Sequence, residues 1–267
     1  MVIQQILDKM DALYPPELAE SWDRCGLQIG NPLAEAGDVL LCLDADEPAI
    51  QTAIREKCGL VISHHPLLFD PIARIDETTP QGRLLASLIR AGVSVFSAHT
   101  NLDQAREGVS DCLALQLGLD PGAPVVPFAV PGRTPDPRGE GLGRRCQANP
   151  PIGLFELENR AIRDLDSPGC FRSFEHDRLV ARVAVVGGAF PEESTAALVS
   201  SGAEALVTGE IRYHNMQTLA SHGIGVLVVG HDCSERVVLQ SLAYTLSGHL
   251  PEIRWHVYGG RRYHLPR

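Results

Sequence analysis

The sequence predicts an α/β fold made of two similar lobes, with a functional crevice between them. Two observations predict it. Short apolar runs of strand character alternate with segments of helical period, and the order strand, helix, strand, helix, strand occurs twice, with polar residues arriving just past the later strands.

Val2, Ile3, Ile6, Leu7 and Met10 recur at helical spacing, and Pro15 and Pro16 end that helix before SWDRCGLQIGNP, a turn-rich surface loop. From Val39 the run VLLCLD reads as a strand and EPAIQTAIREKCG as a helix. LVIS reads as a second strand, which stops at His64-His65-Pro66 because proline cannot continue the ladder. A helix over about 81–91 and the strand VSVFSA then lead into HTNLD.

The second half repeats the scheme with ARVAVVGG, a helix near 192–201, ALVT, a helix from Tyr213, IGVLVVG and His231. LVIS-HH aligns with ALVT-GE, and AGVSVFSA-HT with HGIGVLVV-GH. The spacing therefore divides the chain into an N-terminal lobe (1–122), a connector (123–174) and a C-terminal lobe (175–267), the lobes forming one integrated unit. Within the connector, PGRTPDPRGEGLGRRCQANPP has neither strand nor helical period. Its Gly141, Arg144 and Arg145 read as solvated loop residues before they read as contacts to an anion.

Composition excludes several function classes. The formal net charge is −10, and no dense Lys/Arg block interleaved with aromatics occurs, which disfavours nucleic acid as a partner. The seven cysteines are odd in number, scattered and never spaced CxxC, as expected of reduced thiols in a cytoplasmic protein. The opening MVIQQILDKMDALYPPELAE carries charges inside its apolar pattern, so it reads as an amphipathic helix rather than a signal peptide. No apolar run reaches the length needed to cross a membrane.

Three polar clusters carry the chemistry. At the broken strand end, the rings of His64 and His65 can converge on one crevice, each serving a different ion. Asp103 closes the segment His99-Thr100-Asn101-Leu102-Asp103, whose Thr and Asn can fix the turning backbone; His99 is expected to orient Asp103 rather than bind metal. His231 and Glu235 stand i, i+4 after a buried strand, on one face if a helix begins near Asp232. Taken singly, each cluster is as easily structural: an exposed histidine pair, a helix N-cap, a helix-supporting ion pair. Together, three imidazoles and two carboxylates suit two divalent ions, iron, zinc or manganese, with Glu235 as the bridge.

Two such ions bring four positive charges against two from the carboxylates, so a small anionic substrate such as a phosphate ester, or a carbonyl, follows. The implied reaction class is metal-assisted hydrolysis. Glu210 and His214, in TGEIRYH, form a further i, i+4 pair and are candidates for proton transfer or substrate contact. Cys233 reads as a small buried thiol, and His176 and His222 as surface residues. Two other readings stand beside it: a non-catalytic protein that stores, delivers or senses metal or acts as a scaffold with the same ligands, and a hydrolase that uses only one histidine of the adjacent pair and holds a single ion.

The segments SWDRCGLQIG, VISHHPLLF, SAHTNLD, VTGEIRYH and VVGHDCSE, in this order over residues 21–235, resemble the dinuclear-metal-centre family known as GTP cyclohydrolase 1 type 2 homologues. The resemblance implies the same ligand set, His64, His65, Asp103, His231 and Glu235. It also implies a duplicated three-layer α/β fold, a hexameric toroid with inward-facing metal sites, a cytoplasmic location, and GTP ring opening as one candidate activity. Cys25, Glu210 and Asp232-Cys233 depart from the family's usual residues, which bears on pocket shape and substrate preference.

Overall fold

The computed structural model describes residues 1–128 and 139–260. Residues 129–138, inside the Pro/Gly/Arg-rich stretch, and 261–267 lie outside the described residues. The chain divides into two compact units, one formed by Met1–Leu102 with residues 239–260, the other by Asp103–Val238.

In chain order the first stretch contains α1 (Ile3–Leu13), β1 (Gly26–Ile29), β2 (Asp38–Cys42), α2 (Glu47–Arg55), β3 (Cys58–Ser63), α3 (Pro80–Ala91), β4 (Ser94–Ser97) and α4 (Thr100–Gln104). The second contains α5 (Val109–Gln116), β5 (Val126–Pro127), β6 (Gly141–Leu142), β7 (Arg144–Gly153), α6 (Leu154–Asp164), β8 (Phe171–Arg172) and β9 (Leu179–Ala189). It continues through α7 (Thr195–Ser200), β10 (Ala205–Glu210), α8 (Tyr213–Ser221), β11 (Gly225–Val228) and α9 (His231–Glu235). After α10 (Val238–His249), β12 (Trp255–Tyr258) returns to the first unit's sheet.

That first sheet runs β1-β4-β3-β2-β12; all its pairings are parallel except β1 with β4. Its helices start and stop where local chemistry says they should. The Asp46 side chain accepts from Ala49 N at 3.0 Å to cap α2, and Thr79 Oγ1 accepts from Gly82 N at 3.1 Å to cap α3. Gly92 ends α3 in the left-handed region, with φ of 67°. Leu40, Cys42, Val61 and Val95 pack with Ala49, Ile50 and Ala53 of α2 and Leu88 of α3, while the alternate residues Leu41, Leu60 and Ile62 are buried as well. A sheet covered on both faces needs these near-continuous apolar strands.

The second sheet runs β7-β9-β10-β11-β8, with β9, β10 and β11 parallel to one another and both edges antiparallel. Val183, Val185, Ala205, Val207 and Leu227 face Leu113 of α5 and Leu154 and Leu157 of α6. The intervening Ala184, Val186, Leu206 and Val226 face Leu198 of α7 and Leu219 of α8. The strand period of two thus sorts one sheet between two helical layers. Three central parallel strands with an antiparallel strand after the third, β1 on β4 and β8 on β11, appear in both sheets, as the duplicated α/β fold requires.

The stretch read as a connector carries β5, β6, β7, α6 and β8 in its described part. Two features hid β7. Its first residue, Arg144, is a charged side chain at a buried position, and Pro150 and Pro151 fall where pairing with β9 shifts register between Gln147 and Ile152. Among the described residues no helix is long and apolar enough to cross a membrane.

Candidate metal centre

In the first unit, the chain past β3 keeps pairing with the end of β2: His64 N donates to Cys42 O at 3.0 Å and His65 N to Leu43 O at 2.9 Å. Ser97 Oγ donates to His64 O and Ser63 Oγ to His65 O, so this turn is fixed from two sides. His64 is buried, and its Nδ1 lies 2.9 Å from Ala98 O. His65 Nδ1 lies 2.8 Å from Asp44 Oδ1, and His99 Nδ1 lies 2.8 Å from Asp23 Oδ1. Each of these partners is an acceptor, so each Nδ1 donates and the neutral ring keeps its lone pair on Nε2. One ligand nitrogen from each of His64, His65 and His99 lies within 4.8 Å of the other two.

His99 therefore stands differently from the expectation that it orients Asp103: its Nδ1 is held by Asp23, and its ring joins the two other imidazoles. The Asp23 side chain is fully buried. Burial opposes its charge, but hydrogen bonds from His99, Thr100 and Cys25 outweigh that cost and hold its carboxyl well below the usual range. Burial, with the Asp23 carboxylate beside it, pushes the Cys25 thiol up to about 11. Asp103 lies half-buried in the single turn of α4.

In the second unit, Gly230 (φ 99°) turns the chain from β11 into α9. The i, i+4 spacing brings His231 Nε2 within 3.1 Å of Glu235 Oε1, and Glu210 Oε1 approaches His231 Nδ1 at 3.3 Å. Glu235 is only 3% exposed. Ser234 Oγ donates to His231 O at 2.7 Å and accepts from Gly188 N at 2.9 Å, tying α9 to β9. A Cβ on Gly209 would lie 2.5 Å from Ser234 Oγ and 2.8 Å from His231 Cα, so the glycine of the TGE segment admits α9 against the sheet.

Other sequence candidates fall elsewhere. His214 is exposed in the first turn of α8, its ring beside Tyr213. Arg144 is buried and committed internally: Nε and Nη2 reach Asp111, Nη1 donates to Gly141 O and Gly143 O, and Nη2 donates to Ala105 O. It has no donor left for an anion, and Gly141 serves it as an acceptor. Arg145 is exposed. Cys233 is in the apolar core, and His176 and His222 are exposed. Sequence reasoning missed Asp23 and Asp44, whose only signal was a carboxylate close to a strand or turn boundary, and Gly188 and Gly209, visible as glycines at strand ends.

Comparison with known proteins places this geometry in context. The family model described as Duf34/NIF3 (NGG1p interacting factor 3) matches residues 1–259. A Streptomyces coelicolor protein named GTP cyclohydrolase 1 type 2 homolog is 32% identical over 237 residues, 87% of this chain and 81% of its own. A Nostoc protein of the same name is 32% identical over 253 residues, 92% of this chain and 91% of its own. The fold matches that of a Staphylococcus aureus crystal structure with a TM-score of 0.90 at 23% identity, covering 100% of this chain and 99% of the other. It also matches a Bacillus cereus protein related to NIF3, with a TM-score of 0.89 at 20% identity, covering 98% and 97%.

Proposed function

Because this chain belongs to the Duf34/NIF3 family, we propose that it is a metal-dependent hydrolase holding two divalent cations through His64, His65, Asp103, His231 and Glu235. Its substrate is a phosphorylated or nucleotide-like small molecule. The observation that carries the reading is the convergence of His64 and His65, each Nδ1 held by an acceptor behind it, with the His99 imidazole close beside both. Such backing is how ligand histidines are oriented, and it has little purpose for rings that merely fill space.

The donor set fits the group. Imidazole nitrogen with carboxylate oxygen suits borderline divalent ions such as iron, zinc and manganese. When bound, such ions supply Lewis acidity towards a phosphoryl or carbonyl oxygen. The chain's own residues do the rest. Asp23, Asp44 and the Ala98 carbonyl keep three lone pairs facing forward, and buried Glu235 contributes negative charge beside His231. Asp103 and Glu235 offset two of four positive charges, leaving a surplus that attracts an anionic substrate. Glu210, at His231 Nδ1, and exposed His214 serve proton transfer or substrate contact. The names of the relatives bring GTP ring opening into the candidate reactions. The same reading extends to a cytoplasmic homohexamer, which sedimentation velocity tests.

The decisive experiment loads the purified protein with iron, manganese or zinc and assays phosphoester and nucleotide hydrolysis beside a Glu235→Gln variant. About two ions per chain and activity lost in the variant are expected. No activity in the loaded protein, or equal activity in the variant, ends the enzyme reading, and one ion per chain ends the dinuclear one.

A further inference from the structure

Two aromatic side chains stand open beside the three imidazoles of the first unit. Trp22 is 53% exposed and Phe69 46% exposed, in a chain whose aromatic content is only 5%. Their ring centroids lie 6.1 Å apart with planes inclined at 55°, and Trp22 meets the His99 ring edge-on at 6.3 Å. Large apolar rings left in water next to a polar cluster mark a surface that something covers.

The backbone beside the two rings is also tied down. Trp22 precedes Asp23, whose carboxylate accepts from Thr100 N at 3.0 Å, from Thr100 Oγ1 and from Arg24 N at 2.6 Å. Phe69 follows Leu68, whose N donates to Gln28 Oε1 at 3.1 Å, while Gln28 Nε2 donates to Arg24 O at 2.6 Å. Gln28 thus fastens the segment just after Trp22 to the segment just before Phe69. A ligand arriving against the rings meets a backbone already fixed, which lowers the ordering cost of binding.

We propose that Trp22 and Phe69 form a stacking subsite for the flat heterocycle of the substrate, setting its class as a nucleobase-like ring carried on a phosphorylated group. The inclination of the two planes lets one ring lie against the face of the indole and present its edge to the phenyl group, or the reverse. The 6.3 Å spacing to His99 places the stacked ring within one small molecule's reach of the imidazoles. The direction of the phosphorylated end rests on the hydrolase reading above; the stacking itself does not.

The chain's two tryptophans, Trp22 and Trp255, make the test optical. With Trp255→Phe as background, guanosine 5′-monophosphate should quench the remaining emission, and ribose 5-phosphate, which has no base, should not. Trp22→Ala should weaken guanosine 5′-monophosphate binding, measured by calorimetry, by about tenfold or more, the range of a lost base stack. Trp22→Phe should restore most of it, and ribose 5-phosphate affinity should be the same in all three proteins. Equal nucleotide affinity in Trp22→Ala and wild type overturns the proposal, as does parallel loss of ribose 5-phosphate. So does a change in sedimentation with nucleotide affinity intact, which would make the patch a contact between copies of the chain. Hydrolysis measured on the same samples after metal loading separates the two readings: loaded protein that shows ring-dependent quenching but cleaves neither phosphoester nor nucleotide removes the hydrolase reading and leaves the subsite standing.

Discussion

A Cβ placed on Gly188 would lie 2.2 Å from Oε1 of Glu235. The glycine at the end of β9 is therefore the space that the buried carboxylate occupies, and its φ of 63° is one that side-chain-bearing residues avoid.

Gly188→Ala should cost about 1–2 kcal/mol from the left-handed backbone alone. It should also displace Glu235 from His231. Denaturant unfolding checks the first effect, and a drop in metal content beyond what a surface Gly→Ala change at Gly248 produces checks the second.

Asp23→Asn should change how stability depends on acidity. The folded carboxyl is held below its ordinary range, so the stability it contributes is complete above about pH 4 and is lost as pH falls from there towards the folded value. Urea midpoints measured from pH 6 down to pH 3 should fall more steeply for the native protein than for the variant. Parallel curves would show that the Asp23 charge carries no such weight. At pH 7 the variant should be less stable by about 1–3 kcal/mol, since it weakens a buried, charge-assisted network.

Arg144→Met should cost about 3–5 kcal/mol, because it strands Asp111 without its cation. Three carbonyls, of Ala105, Gly141 and Gly143, lose a donor at the same time. Phosphate affinity should be unchanged, since every donor of this guanidinium is turned inward. A weaker phosphate affinity with unaltered stability would contradict the assignment.

Asp44→Asn addresses the carboxylate behind His65, which is more than half exposed. Stability should move by less than about 0.5 kcal/mol. Metal affinity should fall roughly tenfold or more, the usual cost of losing such a backing group. Competition with a fluorescent chelator reads the second number, and equal affinity in both proteins would deny Asp44 a role.

Much of the fold was legible because it rests on local pattern. The runs LVIS, ALVT and IGVLVV are strands in the structure because apolar residues on both faces need cover from helices on both sides. The polar residues just past them, His64, His65, His231 and Glu210, were legible for the same reason: strand ends of a parallel sheet share an edge. What the letters concealed depends on distance along the chain. Asp23 meets His99 across 76 positions and Asp44 meets His65 across 21, and no periodicity encodes such pairings. Strand β7 was hidden because its buried Arg144 looks like a loop residue until Asp111 and three carbonyls are seen around it. The open faces of Trp22 and Phe69 were equally invisible, because an aromatic letter does not say whether its ring is covered.

Strand β12 has a bearing on how the molecule is made. Its partner β2 belongs to the first 42 residues, and residues Trp255–Tyr258 fill the ribbon's last place. A nascent chain holds that margin bare until more than two hundred further residues have been synthesised. Over that interval Val39, Leu40 and Leu41 present unpaired amides and carbonyls along an apolar rim, a template for unwanted pairing. Deleting residues 255–258 should therefore yield aggregation rather than a loss confined to that strand.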